Sequence, residues 1–151
     1  MEYNSAGCVV VKDIGFNPQV LLIFVKWRTG VEGWTFPKGG IDTDESAMEA
    51  AIRETKEETG LLDFKIICEL EQSVYRFKLD KTDSEERVKT VNWFLAVSKS
   101  GKLGQLKLSD NESLTHREVA WMDIESAKKL LGFDSDVKLL NAAIGRFNDA
   151  G

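Results

Sequence analysis

The sequence predicts an α/β fold with a mixed sheet between helical layers. Three observations point there: β-branched apolar runs precede an early helical segment, a long alternating strand lies mid-chain, and two leucine-bearing helical segments close it. With 151 residues, 42% of them apolar, the chain has material for a substantial core and reads as one domain over residues 1–151.

Each element has its own warrant. Ala6–Val11 and Val20–Trp27 are apolar, β-branched runs separated by the turn-forming stretch Gly15-Phe16-Asn17-Pro18, and read as two strands. Trp34–Pro37 is a short extended piece. Glu45–Thr59 reads as a helix, with Thr43 or Asp44 as N-cap, Glu45 in the first turn and Gly60 just past the end. On it, Met48, Ile52 and Thr55 form the stripe expected to face the core. Phe64–Leu70 and Ser73–Leu79 read as strands, and Asp80–Arg87 as a charged loop. Val88–Val97 is strongly strand-like, with Val91, Trp93, Leu95 and Val97 alternating onto one face. Glu118–Met122 is a further short strand, and Ile124–Leu131 and Val137–Phe147 are helical.

Composition narrows the function classes. Charged residues make up 30% and the net charge is −5, which argues against an extended nucleic-acid surface but not against a small anionic substrate. The N-terminus lacks a charged-then-apolar leader pattern, and no apolar run reaches membrane-spanning length. Cys8 and Cys68 lie in apolar, strand-like stretches without metal-ligand spacing, as reduced thiols of a cytoplasmic protein would. A monomer or small homo-oligomer is expected.

The most informative feature is Glu54, Glu57 and Glu58, just before Gly60. On a helix these positions are related by i+3 and i+4, so the carboxylates share one face and repel. They also lie in the last turn, where the helix dipole disfavours anions. Violations of this kind mark functional sites, and a divalent cation would reverse the sign of both terms, because hard cations take oxygen ligands. Ala47, Ala50 and Ala51 fall on the same side and leave room for something to approach. Arg53 stands beside the acidic face, within reach of Glu57 or Glu49. The segment Trp34-Thr35-Phe36-Pro37-Lys38-Gly39-Gly40 leads into this helix. Its glycines permit close backbone approach, and Lys38 adds a cation beside a helix N-terminus that favours anions. Lysine, glycines and glutamates in this order suggest phosphate held through metal.

From Gly39 to Leu61 the chain resembles the Nudix box: Gly39, Glu45, Arg53, Glu54, Glu57, Glu58, Gly60 and Leu61 occupy defined positions. Thr55 departs from the usual aliphatic residue, on the core side of the helix. The resemblance implies an α/β/α sandwich and a hydrolase that cuts phosphoric anhydride bonds with Mg2+ or Mn2+. Glu54, Glu57 and Glu58 would hold the metal, with the main-chain carbonyl of Lys38 as a fourth ligand. Glu58 or Glu54 would serve as base, and Arg53 would orient the glutamates.

A looser likeness, to asymmetrical diadenosine tetraphosphate hydrolases, spans nearly the whole chain. It rests on Ser5-Ala6-Gly7, the Trp34–Gly39 segment, residues 51–58, Tyr75, Lys89–Trp93 and residues 121–131. It implies that Tyr75 and Lys89, with Lys38, Gly39 and Gly40, bind a nucleotide or polyphosphate substrate. Gly40 departs from the histidine common in that group; Lys38-Gly39-Gly40 also resembles diphosphoinositol polyphosphate phosphohydrolases. Nucleoside triphosphate sanitisers, RNA 5′-pyrophosphohydrolases and a non-catalytic nucleotide sensor are the other readings, the last opposed by the intact glutamates. Glu112, Glu118 and His116 are further candidates near the site. Trp34 and Tyr75 are the expected base-stacking rings, and Lys78, Lys81 and Arg87 form either a solvated edge or a phosphate clamp.

Overall fold

The computed structural model describes residues 2–12, 17–27, 30–78 and 85–150. Its strands are β1 (Glu2–Lys12), β2 (Gln19–Lys26), β3 (Glu32–Thr35), β4 (Lys38–Gly40), β5 (Lys65–Glu69), β6 (Ser73–Phe77), β7 (Arg87–Ser98) and β8 (His116–Asp123). The helices are α1 (Ala47–Thr59), α2 (Asp110–Thr115), α3 (Ile124–Leu130) and α4 (Asp134–Ala150). Gly15 and Phe16 of the expected turn, and residues 80–84 of the charged loop with Lys81 among them, lie outside the described residues. Strand β4 and helix α2 go beyond the sequence reading.

The sheet is mixed. β1 and β7 run parallel from Glu2–Val88 to Lys12–Ser98, while the other strand-to-strand ladders among the described residues are antiparallel. Among the described residues, β1 meets β2 at Val11–Val20 and Lys12–Gln19. Beyond that point the two strands part. β4 fills the edge of β1 at Ser5–Gly7, and β3 pairs with β2 at Ile23–Lys26. The gap between the parted strands becomes a cleft.

Helices cover both faces, as the α/β/α expectation requires. On one face α3 and α4 bring Ala127, Leu139, Leu140 and Ala143 against Val9, Val11, Val20, Leu22, Val91, Trp93 and Leu95. On the other, α1 brings Ala50 and Ala51 against Ala6, Cys8, Val10, Leu21, Phe94 and Ala96. β7 is thus buried on both faces, where its alternation had marked only one. No helix among the described residues is long and apolar enough to cross a membrane.

Helix α1 departs from the sequence reading in three ways. Its N-cap is Ser46, not Thr43 or Asp44. The Ser46 side chain accepts from the Glu49 N–H at 3.1 Å, and the Glu49 carboxylate accepts from the Ser46 N–H at 2.9 Å. This reciprocal capping box satisfies two otherwise orphaned donors, an arrangement whose Ser/Thr/Asn/Asp caps each contribute about 1 kcal/mol. Asp44 instead takes φ 69 in the preceding turn. The core stripe is also different: Met48 is 46% exposed, whereas Ala50, Ala51, Glu54, Thr55 and Glu58 are buried. The alanines serve the sheet rather than a ligand, because small side chains let the helix lie close on β1. Finally, Glu45 precedes the helix and does not sit in its first turn, and its carboxylate turns toward Arg53. At the other end, Gly60 closes α1 in the left-handed region at φ 73, as expected.

Candidate active site

The row that packs α1 on the sheet runs from Ala50 and Ala51 to Glu54 and Glu58, so core packing itself directs two carboxylates inward. Glu58 is 1% exposed and Glu54 6%. Both carboxyl groups are held there by partners. The Lys38 N–H donates to Glu58 Oε1 at 2.8 Å, so the Lys38 main chain meets Glu58 through its N–H. The other Glu58 oxygen meets His116 Nε2. On the far side of the ring, Nδ1 lies 2.9 Å from the Glu112 carbonyl oxygen. A carbonyl only accepts, so in that bond Nδ1 donates, and Nε2 is left to face Glu58.

Arg53 ties the cluster from outside. It donates to Glu45 at 2.7 and 2.9 Å, to Glu54 at 2.8 Å, to Glu57 at 3.2 Å and to the Gly40 carbonyl at 2.9 Å. Of its two expected partners Glu57 is engaged, while Glu49 is occupied by the helix cap. Salt-bridged to Arg53, the Glu45 carboxyl is held down at about 2. Burial, and then the nearby Glu58 charge, pushes Glu54 up to about 7 against the opposing Arg53 bond. Burial also raises Glu58, opposed by the His116 bond. For His116 burial pulls the imidazolium down, but the bond to and charge of Glu58 prevail and the net shift is upward.

Two observations test whether the residues fit a cation. Oε2 of Glu54 is buried without a hydrogen-bond partner, an arrangement that costs free energy unless something else satisfies it. A Cβ on Gly39 would fall on the Glu54 carboxylate, so the backbone leaves that space to the carboxylate alone. Ligand atoms of Glu54, Glu57 and Glu112 lie within 4.8 Å of one another, as do those of Glu58, Glu112 and His116. Oxygen-rich sets of this kind suit Mg2+ and Mn2+. The residues therefore fit a divalent cation.

Glu112 had no stronger claim in the sequence than Glu118. It enters through helix α2, which Ser109 and Glu112 open with a second capping box at 3.1 and 3.2 Å. The Ser-x-x-Glu spacing of both boxes is the sequence signal that could have found them. Glu118 is exposed, in register with Phe24 on β2, and joins no such cluster among the described residues.

The cluster opens into the cleft between the parted strands, about 950 Å³ in volume. Lys38, Gly40, Lys89, Glu58, Glu112 and His116 all line it. Lys89 is brought down to about 8 by burial and then by Lys38 beside it. Tyr75 stands opposite Lys89 in register, yet it packs against the core cluster, as does Trp34. Neither is among the residues lining the cleft. The aromatic residues that do line it are Tyr3, Trp27, Phe36 and Phe77. Lys78 is exposed, and Arg87 pairs with Glu85 at 3.7 Å.

A mixed sheet sandwiched by helices, with a glutamate-bearing helix at a split in the sheet, defines a class that comparison with known proteins identifies. The chain belongs to the NUDIX family, whose domain model matches residues 3–142. Among the relatives it resembles is an RNA pyrophosphohydrolase of Xanthomonas campestris, 32% identical over 126 residues that cover 72% of this chain and 60% of the relative. Another is the asymmetrical bis(5′-nucleosyl)-tetraphosphatase of Rattus norvegicus, 30% identical over 118 residues, covering 78% of this chain and 74% of the relative. The chain thus spans about 60% of the length of the Xanthomonas relative. Among solved structures, a binary complex of C. elegans Ap4A hydrolase superposes with a TM-score of 0.76 at 27% identity, covering 99% of both chains.

Proposed function

We propose that this chain is a metal-dependent pyrophosphohydrolase acting as a single domain in the cytoplasm. Its substrate is a dinucleoside polyphosphate, and diadenosine tetraphosphate is cleaved to ATP and AMP. The observation that carries this reading is that Glu112 joins two acidic groups, one with Glu54 and Glu57 and one with Glu58 and His116, and that Glu58, Glu112 and His116 line a cleft that also holds Lys38 and Lys89. The rat and C. elegans relatives support the substrate.

In the reaction water adds to one phosphorus and the bridging P–O bond breaks, its electron pair leaving with the departing phosphate. Lys38 and Lys89 hold the anionic bridge as point charges. Gly39 lets the backbone pass close to Glu54. Arg53 fixes the orientation of Glu54 and Glu57 without touching substrate. His116 and the Lys38 N–H engage both oxygens of Glu58, while Glu54 keeps one oxygen without a hydrogen-bond partner and titrates at about 7. Glu58 or Glu54 takes the proton of the attacking water. A divalent cation held by Glu54, Glu57 and Glu58, with the Lys38 main chain and Glu112 beside them, would neutralise charge developing on the phosphate oxygens and favour ionisation of water.

The Xanthomonas relatives favour a second reading, removal of pyrophosphate from RNA 5′ ends; the net charge of −5 weighs against a long RNA footprint. The test is turnover, with Mg2+, of diadenosine tetraphosphate, 5′-triphosphorylated RNA, an oxidised nucleoside triphosphate and a diphosphoinositol polyphosphate, with products resolved. ATP and AMP from the first substrate are expected. Strong turnover of another substrate with almost none of the first would overturn the proposal.

A further inference from the structure

We propose that Tyr3 and Phe77, rather than Tyr75 or Trp34, form the stacking platform for a nucleobase in this cleft; the inference rests on the nucleotide-hydrolase reading above and specifies its base subsite. Tyr3 lies opposite Lys89 in the parallel β1–β7 ladder, and Phe77 lies opposite Arg87 in the antiparallel β6–β7 ladder. Arg87 and Lys89 are two apart on β7, so all four side chains project from one face of the sheet. The two rings meet at 6.2 Å between centroids with their planes 31° apart. They remain 39% and 37% exposed, and both line the cleft that contains Lys38 and Lys89.

A folding role does not account for this placement. Val91 and Trp93, farther along the same face, belong to the core cluster and Tyr75 packs against it, whereas Tyr3 and Phe77 belong to neither core cluster. Two neighbouring aromatic rings left open to solvent on the wall of a cation-lined cleft offer a flat apolar surface beside a phosphate-attracting one. A nucleotide has that same pairing of a π face and an anion. Such an aromatic surface also accepts any base, since stacking reads the π face and not a hydrogen-bond pattern.

The test uses the full chain with Mg2+ and measures affinities for ATP and for inorganic tripolyphosphate, which has the anionic part alone. In Tyr3→Ala and Phe77→Ala the ATP dissociation constant should rise by roughly tenfold, the scale of losing one stacked base. Tripolyphosphate affinity should stay within about twofold, and it also reports that the cleft is folded. Phe77→Leu keeps apolar bulk without a ring and should weaken ATP as Phe77→Ala does, whereas Tyr3→Phe should bind like the wild type. Equal weakening of ATP and tripolyphosphate, or no change in either, would overturn the platform. Failure of the wild type to cleave diadenosine tetraphosphate would instead sink the substrate proposal, and selective loss of ATP in the variants would still uphold the platform.

Discussion

Adding a single methyl group at Gly39 should separate activity from stability. An alanine Cβ there would coincide with Cδ and both oxygens of Glu54, whereas at Gly40 it meets nothing within 4 Å. Neither glycine is among those with positive φ, so the backbone accepts alanine at both positions and the difference is steric. Gly39 is fixed by its pairing with Ala6 on β1, which leaves the end of the Glu54 side chain as the part that must move. Moving it breaks the 2.8 Å bond to Arg53 and takes the carboxylate away from Glu57 and Glu112. Because a flexible side chain yields, the stability cost belongs at the low end of overpacking, about 1 kcal/mol, or roughly 2–4 °C in melting temperature at this size. The functional cost is larger, since losing one charge-stabilising group lowers kcat by about 10²- to 10³-fold. Measuring kcat with diadenosine tetraphosphate and Mg2+ alongside thermal unfolding decides the matter. Near wild-type kcat in Gly39→Ala, or an equal loss in folded Gly40→Ala, would refute the reasoning.

Other outcomes follow from the same geometry. Glu58→Gln should lower kcat by about 10²-fold or more, and Glu45→Gln by less, because Glu45 reaches the acidic cluster through its 2.7 and 2.9 Å bonds to Arg53; equal losses in two folded variants would contradict this division. Mg2+ at a hundredfold excess over its dissociation constant should stabilise the fold by about 2.7 kcal/mol, and chelation should abolish turnover. Full activity in excess chelator would sink the metal assignment. Asp136 is 2% exposed, accepts from Thr35 Oγ1 at 3.1 Å, and has its carboxyl pushed up chiefly by burial. The folded chain therefore binds this proton more tightly than the unfolded one. The associated stability is present below the unfolded value of about 3.9 and is lost as pH rises through the folded value. Asp136→Asn keeps an acceptor for Thr35 without the charge, so its melting temperature relative to wild type should be higher at pH 8 than at pH 4; a difference independent of pH would argue against a buried charge.

What the sequence alone determined is local. The spacing of Glu54, Glu57 and Glu58 placed three carboxylates on one helix face, Gly60 marked the helix end, and alternation marked β7, because each depends on the period of one element. The direction in which that helix face points was decided by tertiary structure. Periodicity could not tell that the alanines would lie on β1 and carry Glu54 and Glu58 into the interior, leaving Met48 exposed. Nor could it bring His116 to Glu58, 58 positions away. That meeting depends on β8 running antiparallel along β2, with a register shift between Phe24 and Val25 that sets His116 opposite Val25. The cleft has the same origin, for it opens where β1 and β2 cease to pair after Val11 and Val20. Such features depend on strand register between distant segments, which is fixed by how the whole set of buried faces packs together and leaves no pattern within any one segment.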